Sequence, residues 1–221
     1  MSTDMPSDLS ILVPAAGQGD RLGLGPKALL RINGRSLLSW LAAKALRCSD
    51  EVIVAAPPGR CGEWEAECPG CRVVPGAGTH LASLARLVRE AGRPWVLNVN
   101  VSMPFVSEHM IREVAAAARS TGAAGAFLEP DIPVAELEAG VLRGFRPRQG
   151  IGLAQGPNAY DRALLLSILD KADEQDWSQQ SLLQVVTRHG VRVTAVKGER
   201  RHIKITDETD WALACQLGAF L

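Results

Sequence analysis

Apolar runs and amphipathic stretches alternate along most of the chain. The run "SILVPAAG" (10–17) is short, apolar and ends in small residues, which predicts a buried strand. In "GRSLLSWLAAKALRC" Leu37, Leu38, Leu41, Ala45 and Leu46 share one face at helical spacing. "EVIVAAPPG" then predicts a second strand stopped by prolines. "GTHLASLARLVREAG" predicts a second amphipathic helix and "PWVLNVNV" a third strand. "SEHMIREVAAAARSTG" is an alanine-rich helix that ends in glycine and lacks a full capping box. "AAGAFLEP" predicts a fourth strand. Strands alternating with helices imply crossover connections and a doubly wound, mostly parallel α/β sheet.

The rhythm breaks near Pro130. "PVAELEAGVLRGFRPRQGI" predicts two polar strands around a turn at Glu138 to Gly140, so residues 132–148 form a hairpin that projects from the sheet. "NAYDRALLLSILDKADEQ" and "SQQSLLQVVTRHG" predict helices, and "VRVTAVKG" a strand. "TDETDWALACQLGAFL" predicts a last helix with Thr206 as its N-cap. No repeat, low-complexity tract or linker divides the chain, so residues 1–221 are expected to form one domain, with a β-arm over 130–150.

Composition narrows the possibilities. With 47% apolar and 22% charged residues the chain reads as soluble and globular. Its 24 basic residues balance 24 acidic ones, which argues against broad nucleic-acid or membrane binding. No apolar run approaches a membrane span. The polar "MSTDMPSD" lacks an export signal, so a cytoplasmic location is expected. Five cysteines, an odd number without a signal, imply free thiols. In "CGEWEAECPGC", Cys61, Cys68 and Cys71 together with His80 have the ligand types for zinc, but only one tight ligand couple is present. An exposed loop with thiols is the expectation. The basic run "KGERRHIK" has no interleaved aromatics and is read as a pocket wall or solvated face. His189 and His202 are expected to be surface or satisfied histidines. Trp40, Trp177 and Trp211 are expected to pack.

The chemistry concentrates in "LVPAAGQGDRLGLGPKALL" (12–30), a glycine-rich segment after a strand. It contains no G-x-x-x-x-G-K-[ST], so it is not a P-loop. The glycines at 17, 19 and 23 are one residue too far apart for the dinucleotide fingerprint, and the second strand ends "VAAPPG" without a ribose-binding acid. A third reading fits. Gly17 and Gly19 allow backbone N–H groups to approach an anion, Arg21 adds a forked donor, and Lys27 after Pro26 adds a point charge. Two cations around a triphosphate suit nucleotidyl transfer, in which charge builds on the α-phosphate and the departing pyrophosphate.

These residues resemble a known family. "VPAAGQGDRLGLGPKALLRINGRSLLSW" is similar to the opening of the methylerythritol-phosphate cytidylyltransferases, within the nucleotidyltransferases of glycosyltransferase-A-like (Rossmann-like) fold. "VTAVKGERRHIKITDETDWALA" is similar to their C-terminal segment, with Lys204 on the family lysine and Asp210 on the aspartate before the last helix. The resemblance implies transfer of CMP from CTP, with Mg²⁺, to 2-C-methyl-D-erythritol 4-phosphate or a related polyol phosphate, releasing pyrophosphate. This is a step of non-mevalonate isoprenoid precursor synthesis. It also implies a homodimer built through the arm.

By that resemblance Arg21, Lys27 and Lys204 are the catalytic cations. Pro14, Ala15, Ala16, Gly17, Gly19, Gly76 and Ser83 bind the nucleotide, Ser83 either by bonding the base or by capping a helix turn. Asp131 and Thr206 would face the acceptor, and Asn100 occupies the position of the family's metal-binding aspartate. The departures cluster at the chemistry. Asn100 replaces a carboxylate, a poor exchange for a hard cation. Met103 replaces an arginine, and Gln179 and Gln180 replace an acidic pair. Ala77 replaces a glycine, His80 an arginine, and "QGPN" (155–158) stands for Gln-Thr-Pro-Gln. Loss of carboxylates with retention of the cations leaves a second expectation, a divergent paralogue that binds nucleotide or a partner without turnover. A molybdenum-cofactor nucleotidyltransferase shares the first loop, but the "HIKIT" segment and the arm argue against it.

Overall fold

The structure is a computed structural model that describes residues 8–17 and 23–221, Phe220 by its backbone alone. The chain begins with β1 (Leu9–Pro14), a 3-10 turn (Lys27–Leu29), the short β2 (Arg31–Ile32) and β3 (Arg35–Ser36), and α1 (Leu37–Leu46). It continues through β4 (Glu51–Ala56), α2 (Cys61–Glu67), β5 (Arg72–Pro75), α3 (His80–Glu90), β6 (Trp95–Asn98), α4 (Glu108–Thr121) and β7 (Ala123–Leu128). Then come β8 (Val134–Glu138), β9 (Val141–Arg146), β10 (Leu153–Asp161), α5 (Arg162–Leu169), α6 (Glu174–Trp177), α7 (Leu182–Arg188), β11 (Thr194–Lys197) and α8 (Glu208–Gln216).

Seven strands form one sheet in the order β11-β7-β10-β6-β1-β4-β5, parallel except for β10, which runs antiparallel to both neighbours. Both faces of the sheet are covered, which is why β1 is buried along its whole length and reads as a continuous apolar run. Ile11 and Val13 pack towards Leu38, Leu41, Ile111 and Val114 of α1 and α4. Leu12 and Ile53 pack on the other side with Leu84, Leu87, Leu165 and Val185 of α3, α5 and α7. The helix starts follow from short hydroxyl caps: Ser36, Thr79 and Ser107 each accept the backbone N–H of the third residue on. α4 stops at Gly122, whose φ of 90° few residues other than glycine adopt.

β8 and β9 pair only with each other, as an antiparallel ribbon. Their turn lies at Ala139 and Gly140, both with positive φ. The ribbon exposes Leu137, Val141, Leu142 and Phe145, with Ile132 exposed at its base.

Four expectations are corrected. The segment after Cys61 is not an exposed loop: it forms α2 and β5, with Trp64 and Cys68 fully buried. One aromatic per two turns is too sparse to register as helical periodicity, yet it suffices to anchor a seven-residue helix on the sheet. Residues 158–161 belong to β10 rather than to a helix, because Asn158 to Asp161 pair across β6 and residues 158 to 160 also pair across β7. The N-cap of α8 is Asp207, not Thr206. Asp207 accepts the Asp210 N–H, and the Asp210 carboxylate accepts from Asp207 in return, which closes a capping box. His202 is buried and has an unpartnered Nδ1 among the described residues, so it is neither a surface nor a fully satisfied histidine.

Candidate active site

β1 delivers its small C-terminal residues to the edge of the sheet beside the ends of β4 and β5. Ala15 N–H donates to the Ala55 carbonyl (3.0 Å) and Gly76 N–H to the Ala56 carbonyl (2.7 Å). From below, the indole of Trp64 donates to the Ala15 carbonyl (3.2 Å). Gly76 has to be a glycine here. A Cβ at that position would lie 2.6 Å from the Ala16 Cβ and 3.2 Å from the Ala56 carbonyl oxygen. These contacts shape a cleft of about 230 Å³ lined by Pro14, Ala16, Gly17, Ala77, Gly78, Thr79, His80 and Ser83.

Ser83 is almost wholly buried, and its hydroxyl is engaged with the loop itself. It accepts the Ala77 N–H (2.9 Å) and donates to the Ala77 carbonyl (3.2 Å). Ser83 therefore shapes the cleft wall. His80 stands exposed at the cleft mouth, and its imidazole is held below the ordinary histidine value. Protein packed around the rest of the ring is the larger cause, and the charge of Lys204 is the second. Lys204, exposed and more than a hundred residues downstream, is thus within electrostatic reach of the cleft rim.

The Lys27 ammonium donates to the carbonyls of Ile205 (2.8 Å) and Thr206 (3.2 Å). Ile205 N–H donates to the Ser102 carbonyl (2.8 Å). Three segments distant in sequence are sewn together in this way: the turn after the glycine loop, the 100–105 loop after β6, and the strip 203–206. Arg21 and Gly19 lie outside the described residues.

The positions where the sequence departs from its resemblance have distinct fates. Met103 is buried in the protein, so the side chain in place of an arginine is a packing group. Asn100 is half-buried, and its backbone carbonyl accepts the Met103 N–H (2.9 Å). Gln155 bonds the carbonyls of Glu199 (3.0 Å) and His202 (3.2 Å) and accepts the Glu199 N–H (3.1 Å), locking the approach to Lys204. Gln179 donates to the Gln175 carbonyl (2.8 Å), and Gln180 N–H donates to the Gln184 side chain (3.0 Å). The Asp131 carboxylate pairs with Arg200, which brings the base of the ribbon to the 199–204 segment.

Among the described residues no three His, Cys, Asp or Glu side chains converge, and Asn100 offers an amide where a hard cation prefers a carboxylate. The same holds for zinc at Cys61, Cys68, Cys71 and His80, which the described residues do not assemble into a ligand set.

Sequence reasoning missed Trp64 and Lys44, and read His202 as a surface or satisfied histidine. The Lys44 ammonium, in the last turn of α1, is buried and donates to the Pro104 carbonyl (2.8 Å), holding the loop that carries Asn100 and Met103. A lysine on the apolar face of a helix was the only signal available.

Comparison with known proteins places the chain in a family. A family model described as "IspD: 2-C-methyl-D-erythritol 4-phosphate cytidylyltransferase" matches residues 9–217. The chain is 39% identical to the 2-C-methyl-D-erythritol 4-phosphate cytidylyltransferase of Thermus thermophilus, over 94% of this chain and 95% of that one. It is 35% identical to the protein of the same name from Deinococcus radiodurans, over 92% and 86% of the two chains. A crystal structure of the Thermus thermophilus cytidylyltransferase superposes with a TM-score of 0.81 at 36% identity, covering 96% of this chain and 99% of that one. A 4-diphosphocytidyl-2C-methyl-D-erythritol synthase from Anaerococcus prevotii, 21% identical, shares the fold with a TM-score of 0.83 over 96% of each chain. With nearly its whole length matched in both sequence and fold, the chain belongs to the 2-C-methyl-D-erythritol 4-phosphate cytidylyltransferase family.

Proposed function

We propose that the protein is a nucleotidyltransferase that transfers CMP from CTP to the phosphate of 2-C-methyl-D-erythritol 4-phosphate and releases pyrophosphate. The observation that supports this reading is the cleft between the β1 loop and the Gly76–Ser83 wall, with Lys204 within electrostatic reach of His80 at its mouth. Pro14, Ala15, Ala16, Gly17 and Gly19 present backbone to the triphosphate, and Gly76 leaves room for the nucleotide. Arg21 and Lys204 supply charge to the phosphates as negative charge builds during displacement. Lys27 adds charge and holds Ile205 and Thr206, so that Lys204 is aimed at the cleft. Thr206 and the Asp131–Arg200 pair border the acceptor end. The attacking phosphate oxygen bonds to the α-phosphorus, and the bond to the β-phosphate bridging oxygen breaks.

The fine points of the reading are also proposals. The protein acts in the cytoplasm, as a homodimer whose ribbons bury Leu137, Leu142 and Phe145 on the partner. Mg²⁺ is expected to accompany CTP, but no step is assigned to it, since Asn100 does not offer the ligand it prefers. No helix among the described residues is long and apolar enough to cross a membrane.

A second reading, nucleotide binding without turnover, is raised by Asn100 and by the burial of Met103, and has less support than the first. One assay separates the two. Pyrophosphate release is measured with methylerythritol phosphate, Mg²⁺ and each of the four nucleoside triphosphates. Turnover with CTP supports the enzyme. CTP binding without release supports the second reading, and no binding of CTP removes both.

A further inference from the structure

Outside the cleft, the sharpest unassigned chemistry is in "CPGC". Cys68 and Cys71 are the first and last residues of a tight turn closed by a hydrogen bond from Cys71 N–H to the Cys68 carbonyl (3.0 Å). Pro69 sets its own φ, and Gly70 has a φ of 88°, the left-handed value required at the third position of a type II turn. Such a turn holds its end Cα atoms less than about 7 Å apart, and a disulfide accepts Cα separations of about 4.4–6.8 Å. Cys68 and Cys71 pack in the same apolar cluster. Their settings differ. Cys68 is fully buried and its Sγ donates to the Trp64 carbonyl (2.9 Å), whereas Cys71 is half-exposed.

We propose that Cys68 and Cys71 form a redox-active dithiol site that small-molecule disulfides oxidise to an intrachain disulfide. Cys71 attacks one sulfur of the incoming disulfide, forming a mixed disulfide and releasing the first thiolate. Cys68 then attacks the Cys71 sulfur and expels the second. The protein loses two electrons and two thiol protons, and the co-reactant leaves as two thiols. The order follows from access: of the two, only Cys71 meets solvent, and Cys68 is held within reach of it. The proton affinity of Cys71 is lowered and that of Cys68 raised, each chiefly by its neighbour across the turn, which supports the same order. Neither Cys48, buried against α4, nor the exposed Cys215 has a partner thiol of this kind among the described residues.

The site is coupled to the cleft through a single residue. Trp64 receives the Cys68 thiol on its carbonyl and holds the Ala15 carbonyl with its indole. Closing the disulfide takes away the S–H donor from the first of these contacts.

The test uses the full chain, fully reduced, folded and then exposed to oxidised glutathione, with intact mass and peptide fragmentation as the readout. The expected product is lighter by two hydrogens, has Cys61 still alkylatable, and carries the new bond between Cys68 and Cys71. Cys68→Ser is expected to stop at a glutathione adduct on Cys71, and Cys71→Ser to leave Cys68 unmodified. A stable glutathione adduct on Cys71 of the wild-type chain overturns the proposal, as does a disulfide that includes Cys48, Cys61 or Cys215. So does a Cys71 that reacts no faster than Cys215. The readout is covalent and independent of CTP, so its outcome is separate from that of the cytidylyl-transfer reading.

Discussion

Lys27 and Ile205 lie 178 positions apart, yet the lysine ammonium donates to the isoleucine carbonyl at 2.8 Å. The contact fixes the strip carrying Lys204 against the turn that follows the glycine loop. Lys27→Ala is expected to reduce pyrophosphate release by about a hundredfold or more, the range seen when one charge-stabilising donor is lost. Lys27→Met keeps most of the stem and should lose a similar amount. Near-normal turnover in both variants would remove Lys27 from the site.

Gly76→Ala tests the close approach of the cleft walls. The added methyl meets the Ala16 Cβ at 2.6 Å, and backbone on both sides has to move. Overpacking of this kind costs about 1–3 kcal/mol. Chemical denaturation should show that loss, and the KM for CTP should rise while the assay still detects product. A variant with wild-type stability and KM would mean that the two walls are not held as described.

Lys44→Met separates stability from function. Burial, helped by Arg201 and Arg47, holds the Lys44 ammonium down to a pKa of about 8 from 10.5. Methionine fills a similar volume without the desolvated charge but leaves the Pro104 carbonyl without its donor. Folding stability at pH 7 is therefore expected to change by less than about 1.5 kcal/mol, while kcat/KM falls several-fold as the 100–104 loop loosens. Between about pH 8 and 10.5 the unfolded lysine still holds a proton that the folded one has released. In that window the wild type should gain stability on the variant as pH rises. A parallel stability profile for the two proteins would contradict the buried ammonium.

His202 gives an acid-side signature. Burial is the first cause that lowers its pKa to about 4 from 6.5, against a small opposing effect of Glu199 and of the Gly156 backbone. The unfolded chain binds a proton in this interval and the folded chain does not, so stability is complete above about 6.5 and is lost as pH falls towards 4. The contribution is on the order of 3 kcal/mol. His202→Asn should flatten the profile between those limits, as followed by denaturant midpoints at several pH values. Asp176, lowered to about 2 from 3.8 by His189 and Arg188, acts only below that window and serves as the internal contrast.

The sequence by itself determined the alternation of strands and helices, the glycine segment after β1 and the turn of the β8–β9 ribbon. Each of these is a local matter: side-chain periodicity, or a residue able to take positive φ. The same local rules explain why Gly17 and Lys27 stood out as chemistry, whereas Lys204 was named through the family resemblance alone. The tertiary structure alone decided what lies next to what. β10 is a strand because two neighbours from elsewhere pair with it, although its sequence lacks strand alternation. Trp64 matters because its indole reaches Ala15, and Lys44 because Pro104 lies over α1. Ser83 is spent on the Ala77 loop, and Met103 is buried where an arginine was expected to face substrate. Burial and hydrogen-bond partners across such separations come from the packing of the whole chain, and no window of a few residues contains them.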